Sequence, residues 1–243
     1  MTKKRDKETS ASRPLGKRIA RWLGWALLIW VLASVAGVLI YRWAPVYYTP
    51  LMIIRGFEQK ADGREWTIHH KWVSLRYINP AMQQAVVASE DNLFAEHHGF
   101  DVKQMEIALQ EAREKGKPLR GASTISQQTA RNVFLWQGGG WLRKGMEAWF
   151  TVLIELMWSK ERIMEVYLNS IEMGDGIYGA EAVAQMNFGK SARNLSRSEC
   201  ALIAATLPDP LHRDSAHPTP GLLRRRQHIL KMMRLIGPID LSR

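Results

Sequence analysis

The chain has 243 residues and a formal net charge of +11, from 34 Lys and Arg against 23 Asp and Glu. That length accommodates a membrane anchor and one substantial domain. The lone cysteine, Cys200, excludes an intrachain disulfide and a cysteine-based metal site. It sits in the apolar run 199–205 and reads as a small core residue.

The positive charge is unevenly spread. Residues 1–21 carry Lys3, Lys4, Arg5, Lys7, Arg13, Lys17, Arg18 and Arg21 against Asp6 and Glu8. This tail is polar, lacks apolar periodicity and is expected to be disordered. From Trp22 to Tyr41 no residue is charged, and Trp22, Trp25, Tyr41 and Trp43 lie near the ends. Roughly 20 apolar residues span a hydrocarbon core of about 30 Å as a helix. Residues 22–42 therefore read as a single-pass signal anchor. The basic tail 1–21 would stay in the cytoplasm, which puts residues 43–243 across the membrane. The rival is a cleaved signal peptide with Ser34-Val35-Ala36 at the cleavage site. A signal core of about 7–15 residues is shorter than this run. An exported domain without disulfides fits a bacterial periplasm, outside the inner membrane.

After the anchor, Pro45 to Ile54 reads as an apolar connector. Residues 55–80 mix β-formers with charges (Trp66-Thr67-Ile68, Trp72-Val73-Ser74-Leu75) and suggest a short strand or extended arm. From Pro80 onward the spacing predicts helices over 80–91, 101–115, 123–134, 141–158, 160–169, 178–187, 196–206 and 219–235. Gly and Pro punctuate the gaps at 116–118, 138–140, 174–176 and 208–210. There is no internal repeat and no strand–helix alternation. A mainly α-helical single domain follows.

Within it, Glu90-Asp91-Asn92-Leu93-Phe94-Ala95-Glu96-His97-His98-Gly99 packs two carboxylates, an aromatic and two histidines into ten residues. Asn79-Pro80 starts the helix leading in, with Asn as N-cap. A negative charge at the far end of that helix is opposed by the helix dipole and by partial desolvation, which suits an acid or base. A solvated acidic helix end is the plainer reading. Next, Gly121 frees a turn and Ser123 can cap a helix. Thr124, Gln128 and Arg131 or Asn132 then share one face. Hydroxyl, amide and guanidinium groups there suit phosphate, whereas solvated faces favour Glu and Lys. Arg143 and Glu147 are i, i+4 partners. As a surface pair they would contribute a few tenths of a kcal/mol, roughly. As a functional set, Glu147 is a second carboxylate facing Glu90, with Arg143 and Lys144 gripping an anionic leaving group. Lys160 to Asn169 carries a core stripe and reads as structural. The glycine loop 174–179 has neither P-loop nor Rossmann spacing.

Taken together, Glu90-Asp91-x-x-Phe94-x-x-His97-x-Gly99, Gly121-x-Ser123-Thr124-Ile125-x-Gln127-Gln128, Arg143-Lys144-x-x-Glu147 and Lys160-x-x-Ile163-x-Glu165-x-Tyr167-Leu168-Asn169 resemble the peptidoglycan glycosyltransferase family. The likeness covers about residues 75–210, and its short, monofunctional members match best. About thirty residues after Pro210 are too few for a transpeptidase domain, and no Ser-x-x-Lys motif occurs. Many members have Lys where this chain has Arg131, so the cation is kept in a different shape.

The resemblance implies a lysozyme-like helical glycosyltransferase domain acting on lipid II and the growing glycan strand at the membrane. Glu90 would be the general base, and Glu147 would hold a divalent metal ion (Mg or Mn) at the diphosphate or orient the cations. Arg131, Arg143 and Lys144 would hold the diphosphate, with Ser123, Thr124, Gln128 and Asn132 as hydrogen-bonding neighbours. Asp91 and His97 would support the site. No organic cofactor is implied. Nucleic acid would match the charge equally, but export across the membrane argues against it; other cell-wall synthesis or division proteins are candidate partners. A glycan-cleaving lytic enzyme and a non-catalytic cell-wall scaffold are the alternatives. Apolar residues after the anchor, or Phe134, Leu135, Trp136 and Trp141, would meet lipid. Helix 101–115 with the following turn could act as a lid.

Overall fold

The computed structural model describes residues 15–116 and 123–241. The first 14 residues of the basic tail, the Lys117-Pro118 part of the turn, and Gly121 lie outside that range. The chain divides after Gly37 into two compact units.

Helix α1 (Leu15–Tyr41) begins earlier than the sequence suggests, so Lys17, Arg18 and Arg21 are helical rather than disordered. Extending an existing helix adds one hydrogen bond per residue fixed, and Lys and Arg are good helix formers. Its Gly16–Tyr41 stretch is long and apolar enough to cross a membrane.

In the second unit, the expected apolar connector is instead the start of helix α2 (Pro50–Ala61). Thr49 caps it, accepting from the Met52 N–H at 3.3 Å, and Pro50 opens its first turn. Burial of Leu51 and Met52 supplies the tertiary support. Of the arm that follows, only His69–His70 forms a strand, β1. Then come α3 (Pro80–Glu90), α4 (Val102–Lys115), α5 (Ile125–Phe134), α6 (Trp141–Met157) and α7 (Lys160–Ser170). They are followed by β2 (Glu172–Gly174), β3 (Ile177–Tyr178), α8 (Ala180–Phe188), α9 (Arg197–Thr206) and α10 (Pro220–Ile236). The fold is mainly α-helical.

The glycine loop 174–179 lies in a hairpin. β2 pairs antiparallel with β3, and β1 adds parallel to β3, giving the order β1-β3-β2. Gly179 ends β3 at φ +84, where a Cβ would stand 2.7 Å from the Asn169 carbonyl oxygen. Only glycine lets the chain pass that backbone.

Two groups of helices form the body. α3 packs on α9 and α10, and α5 packs on α6 and α7. α3 buries Met82, Val86 and Val87, each side chain stabilising by about 1.5–3 kcal/mol relative to exposure. Tyr167 and Phe94 are fully buried beneath the end of α3. The carbonyls at the end of α1 are capped within this unit. Trp158 donates to Val38 O at 2.8 Å, and the Arg162 guanidinium donates to Tyr41 O at 2.8 and 3.0 Å. A cation at a helix C-terminus satisfies orphan carbonyls and complements the dipole.

Candidate active site

Glu90 ends α3, and the chain turns sharply after it. Asp91 caps α3 and is buried. Its carboxylate accepts from His97 Nε2 at 2.9 and 3.0 Å and from the backbone N–H of Ile125 at 2.9 Å. One carboxylate thus fastens the end of α3 to the first turn of α5, where the helix dipole favours negative charge. His97 Nδ1 accepts from the Gly99 N–H at 3.1 Å, so the imidazole is the Nε2–H tautomer. Gly99 sits at φ +91, and a Cβ there would meet Thr151 Cγ2 at 2.8 Å. Lys160 lies behind this turn, donating to His97 O at 2.6 Å and to Glu155 Oε1 at 2.9 Å. It also lies 4.6 Å from the centre of the Phe94 ring. These contacts make the Lys160 segment structural.

The α5 helix starts one residue later than a Ser123 cap would place it. Thr124 is the N-cap and forms a capping box with Gln127. Thr124, unlike Ser123, has a Gln three positions on. Its hydroxyl also donates to Gly99 O at 2.6 Å. The polar face of α5 is not solvated: Gln128 and Asn132 are buried. Gln128 Nε2 lies 3.4 Å from Glu90 Oε2 and 3.3 Å from Ser123 O, while its carbonyl accepts from the Tyr167 hydroxyl at 3.3 Å. Burial pushes the Tyr167 phenol well above its ordinary pKa, and the Glu90 charge adds to this. Tyr167 is therefore a fixed donor that orients Gln128. Asn132 Oδ1 accepts from Gln137 at 3.5 Å.

Ser123, freed from capping, has its hydroxyl 3.4 Å from Lys144 Nζ. Lys144 also donates to Glu147 Oε1, and Arg143 donates to Glu147 Oε2 at 2.8 Å. Glu147 is 1% exposed, so this is no surface ion pair. Burial lowers the Arg131 guanidinium from its ordinary pKa, Glu147 opposes that shift and Arg143 adds to it. Among the described residues Arg131 forms no ion pair, and its Nε is buried without a partner. Three cations around one carboxylate leave the group at net +2, ready for an anion.

Glu90 lies in a cleft of about 210 Å³ lined by Ser89, Asp91, Asn92, Asp101, Gln104 and Ser123. Its oxygens meet donors only: Ser89 Oγ at 2.8 Å, Gln128 at 3.4 Å, and Arg225 from α10 at 3.9 Å. That is the partner set of an ionised carboxylate. The sequence reading assigns no site role to Ser89 or Arg225, and places Tyr167 only in the Lys160–Asn169 motif, read as structural. In α10 the buried residues Leu222, Ile229 and Met233 mark an inward stripe, and Arg225 lies beside it; that periodicity was the available signal.

The donor set does not fit a protein-held metal. No three His, Cys, Asp or Glu side chains converge among the described residues, and both Glu147 oxygens are engaged by cations. Of the residues expected to meet lipid, Leu135 is core and Phe134 stacks on Phe150 at 4.5 Å. Trp136 and Trp141 are exposed, Trp141 at 93%.

A carboxylate in a cleft and a half-buried cation cluster, in a helical domain, fit an acid–base enzyme for an anionic substrate. Residues 59–234 match the family model described as Transglycosylase. The chain is 55% identical over 225 residues to a biosynthetic peptidoglycan transglycosylase of Bacteroides thetaiotaomicron, covering 92% of this chain and 90% of that one. Proteins of the same name from Pseudomonas aeruginosa and Stutzerimonas stutzeri are 44% and 48% identical, over 94% and 87% of this chain and 96% and 87% of theirs. The chain belongs to the transglycosylase family.

Proposed function

We propose that this chain polymerises lipid II into linear glycan strands by inverting glycosyl transfer. Glu90 takes the proton from the 4-hydroxyl of the acceptor sugar. The resulting oxygen attacks the anomeric carbon of the donor strand's terminal sugar. The bond to the diphosphate breaks, and polyprenyl diphosphate leaves with the electron pair. Such a displacement needs one base and a stabilised leaving group, with no covalent enzyme intermediate.

The observation that carries this reading is the environment of Glu90, which has donors on both oxygens and a cleft in front. A lytic enzyme would need an acid that donates to a leaving sugar, and here both Glu90 oxygens are placed to accept. Arg131, Arg143 and Lys144 hold the departing diphosphate, Ser123 adds a hydroxyl beside Lys144, and Glu147 keeps the cations aligned. Gln128 orients Glu90. Asp91, His97 and Thr124 fix the turn and the start of α5, and Asn132 lies on the same helix one turn after Gln128.

The catalytic domain, residues 43–243, works at the outer face of the bacterial inner membrane, anchored by residues 22–42. The exposed Trp43, Tyr47 and Tyr48 after the anchor, and Trp141, Leu142 and Leu156 on α6, support work at a lipid surface. The test is Glu90→Gln assayed with labelled lipid II beside a folded-protein control. Loss of about 10²-fold or more is expected for a positioned base. Near-normal chain formation would sink the assignment.

A further inference from the structure

The C-terminal helix α10 contributes to the site through Arg225. Arg225 Nη2 donates to Ser89 Oγ at 3.2 Å. Ser89 has one hydroxyl proton. Its nearer acceptor is Glu90 Oε1 at 2.8 Å, with the Ala204 carbonyl at 3.3 Å. A cation donating to a hydroxyl oxygen strengthens that hydroxyl as a donor. The chain Arg225 to Ser89 to Glu90 therefore fixes Oε1. Oε2 keeps only the 3.4 Å contact from Gln128 and is the oxygen free to take a proton.

The direct Arg225–Glu90 approach is 3.9 Å, too long for a hydrogen bond, and the Arg225 side chain is 37% exposed. Water screens that attraction, so the effect runs through Ser89. Among the described residues no other neighbour supplies it. Asp91 is turned to His97 and the Ile125 N–H, Asp101 caps α4, and Tyr167 reaches Glu90 only through Gln128. Among the described residues Arg225 is the only cation paired with Glu90.

We propose that Arg225 is a positioning residue for Glu90, acting through Ser89 to hold the carboxylate at the angle that proton abstraction requires. The proposal rests on the reading of Glu90 as the base. It makes α10 a working part of the catalytic centre as well as a packing element.

The test uses the full chain in detergent micelles with lipid II. The variants are Arg225→Ala, Arg225→Gln, Ser89→Ala, the double variant and Glu90→Gln. Arg225→Ala is expected to lower kcat about tenfold, with KM changed less than about threefold, because a base loses efficiency when misplaced. The double variant should be no worse than the poorer single one, since both break the same chain. Added guanidinium should restore part of the Arg225→Ala rate. Unchanged kcat overturns the proposal. So does a raised KM with intact kcat, which would mark Arg225 as a substrate grip, and so do additive losses. If Arg225→Ala fails to fold, Arg225→Gln and Ser89→Ala carry the same readings. An active Glu90→Gln overturns the base assignment, whereas an inactive Glu90→Gln beside a full-rate Arg225→Gln overturns only the role of Arg225.

Discussion

Replacing Glu147 by Gln removes the one negative charge that Arg143 and Lys144 share. The side chain keeps its size, but its amide can accept from only one of the two cations and turns a donor toward the other. Removing one partner of a buried ion pair costs about 3–5 kcal/mol, because the remaining charge is left uncompensated. The lower end applies here. Lys144 is 44% exposed and can swing to water, whereas Arg143 is 13% exposed and cannot. About 3 kcal/mol in a domain of this size corresponds to a fall in Tm of roughly 6–12 °C. Thermal unfolding of the full chain in detergent, followed by circular dichroism, reads this directly. The double variant Arg143→Met with Glu147→Met removes both charges and should recover much of the stability without recovering glycan synthesis. A Glu147→Gln protein melting within about 1 °C of the parent would refute the idea that this carboxylate balances the cations.

Gly99→Ala should destabilise by about 2–4 kcal/mol, from a left-handed φ together with overpacking against Thr151 and Glu155, and denaturant unfolding would show it. Its activity should fall further than stability alone explains, because Gly99 O anchors the Thr124 hydroxyl. Glu172 gives a pH signature away from the site. Burial raises its carboxyl above the ordinary range, and Arg55 opposes this only in part. The folded state thus holds the proton more tightly than the unfolded one. Stability from this group is present at low pH and is lost as pH rises through the raised value. Glu172→Gln should therefore gain Tm relative to the parent as pH climbs above the usual carboxylate range. A Tm difference that stays flat with pH would contradict the assigned burial effect.

The helices were legible because their signals are local. Asn79-Pro80, Ser159, Ser196 and Thr219-Pro220 mark starts, and apolar spacing carries each helix to within two residues of its observed end. Capping and periodicity act over one or two turns, so a short window contains them. Thr49-Pro50 was the same signal, and the apolar residues after it masked it as a connector. The hairpin Glu172–Tyr178 could not be read. Its strands are two and three residues long, and the strand that pairs with its second arm, β1, comes from far earlier in the chain.

The site divides in the same way. Sequence alone determined which residue types stand where: Glu90 at a helix end, Glu147 one turn from Arg143, and polar groups repeating along α5. It left open whether each was solvated or buried, because burial is decided by what packs on top. Tertiary structure sank Glu147 to 1% exposure and buried Gln128 and Asn132. It spent the Asp91 carboxylate on the α5 N-terminus and His97, and it brought Arg225 across from α10 to Ser89 and Glu90. The last of these has no local trace. Contact between residues so distant in sequence arises only when α3 and α10 are pressed together by the apolar faces they share.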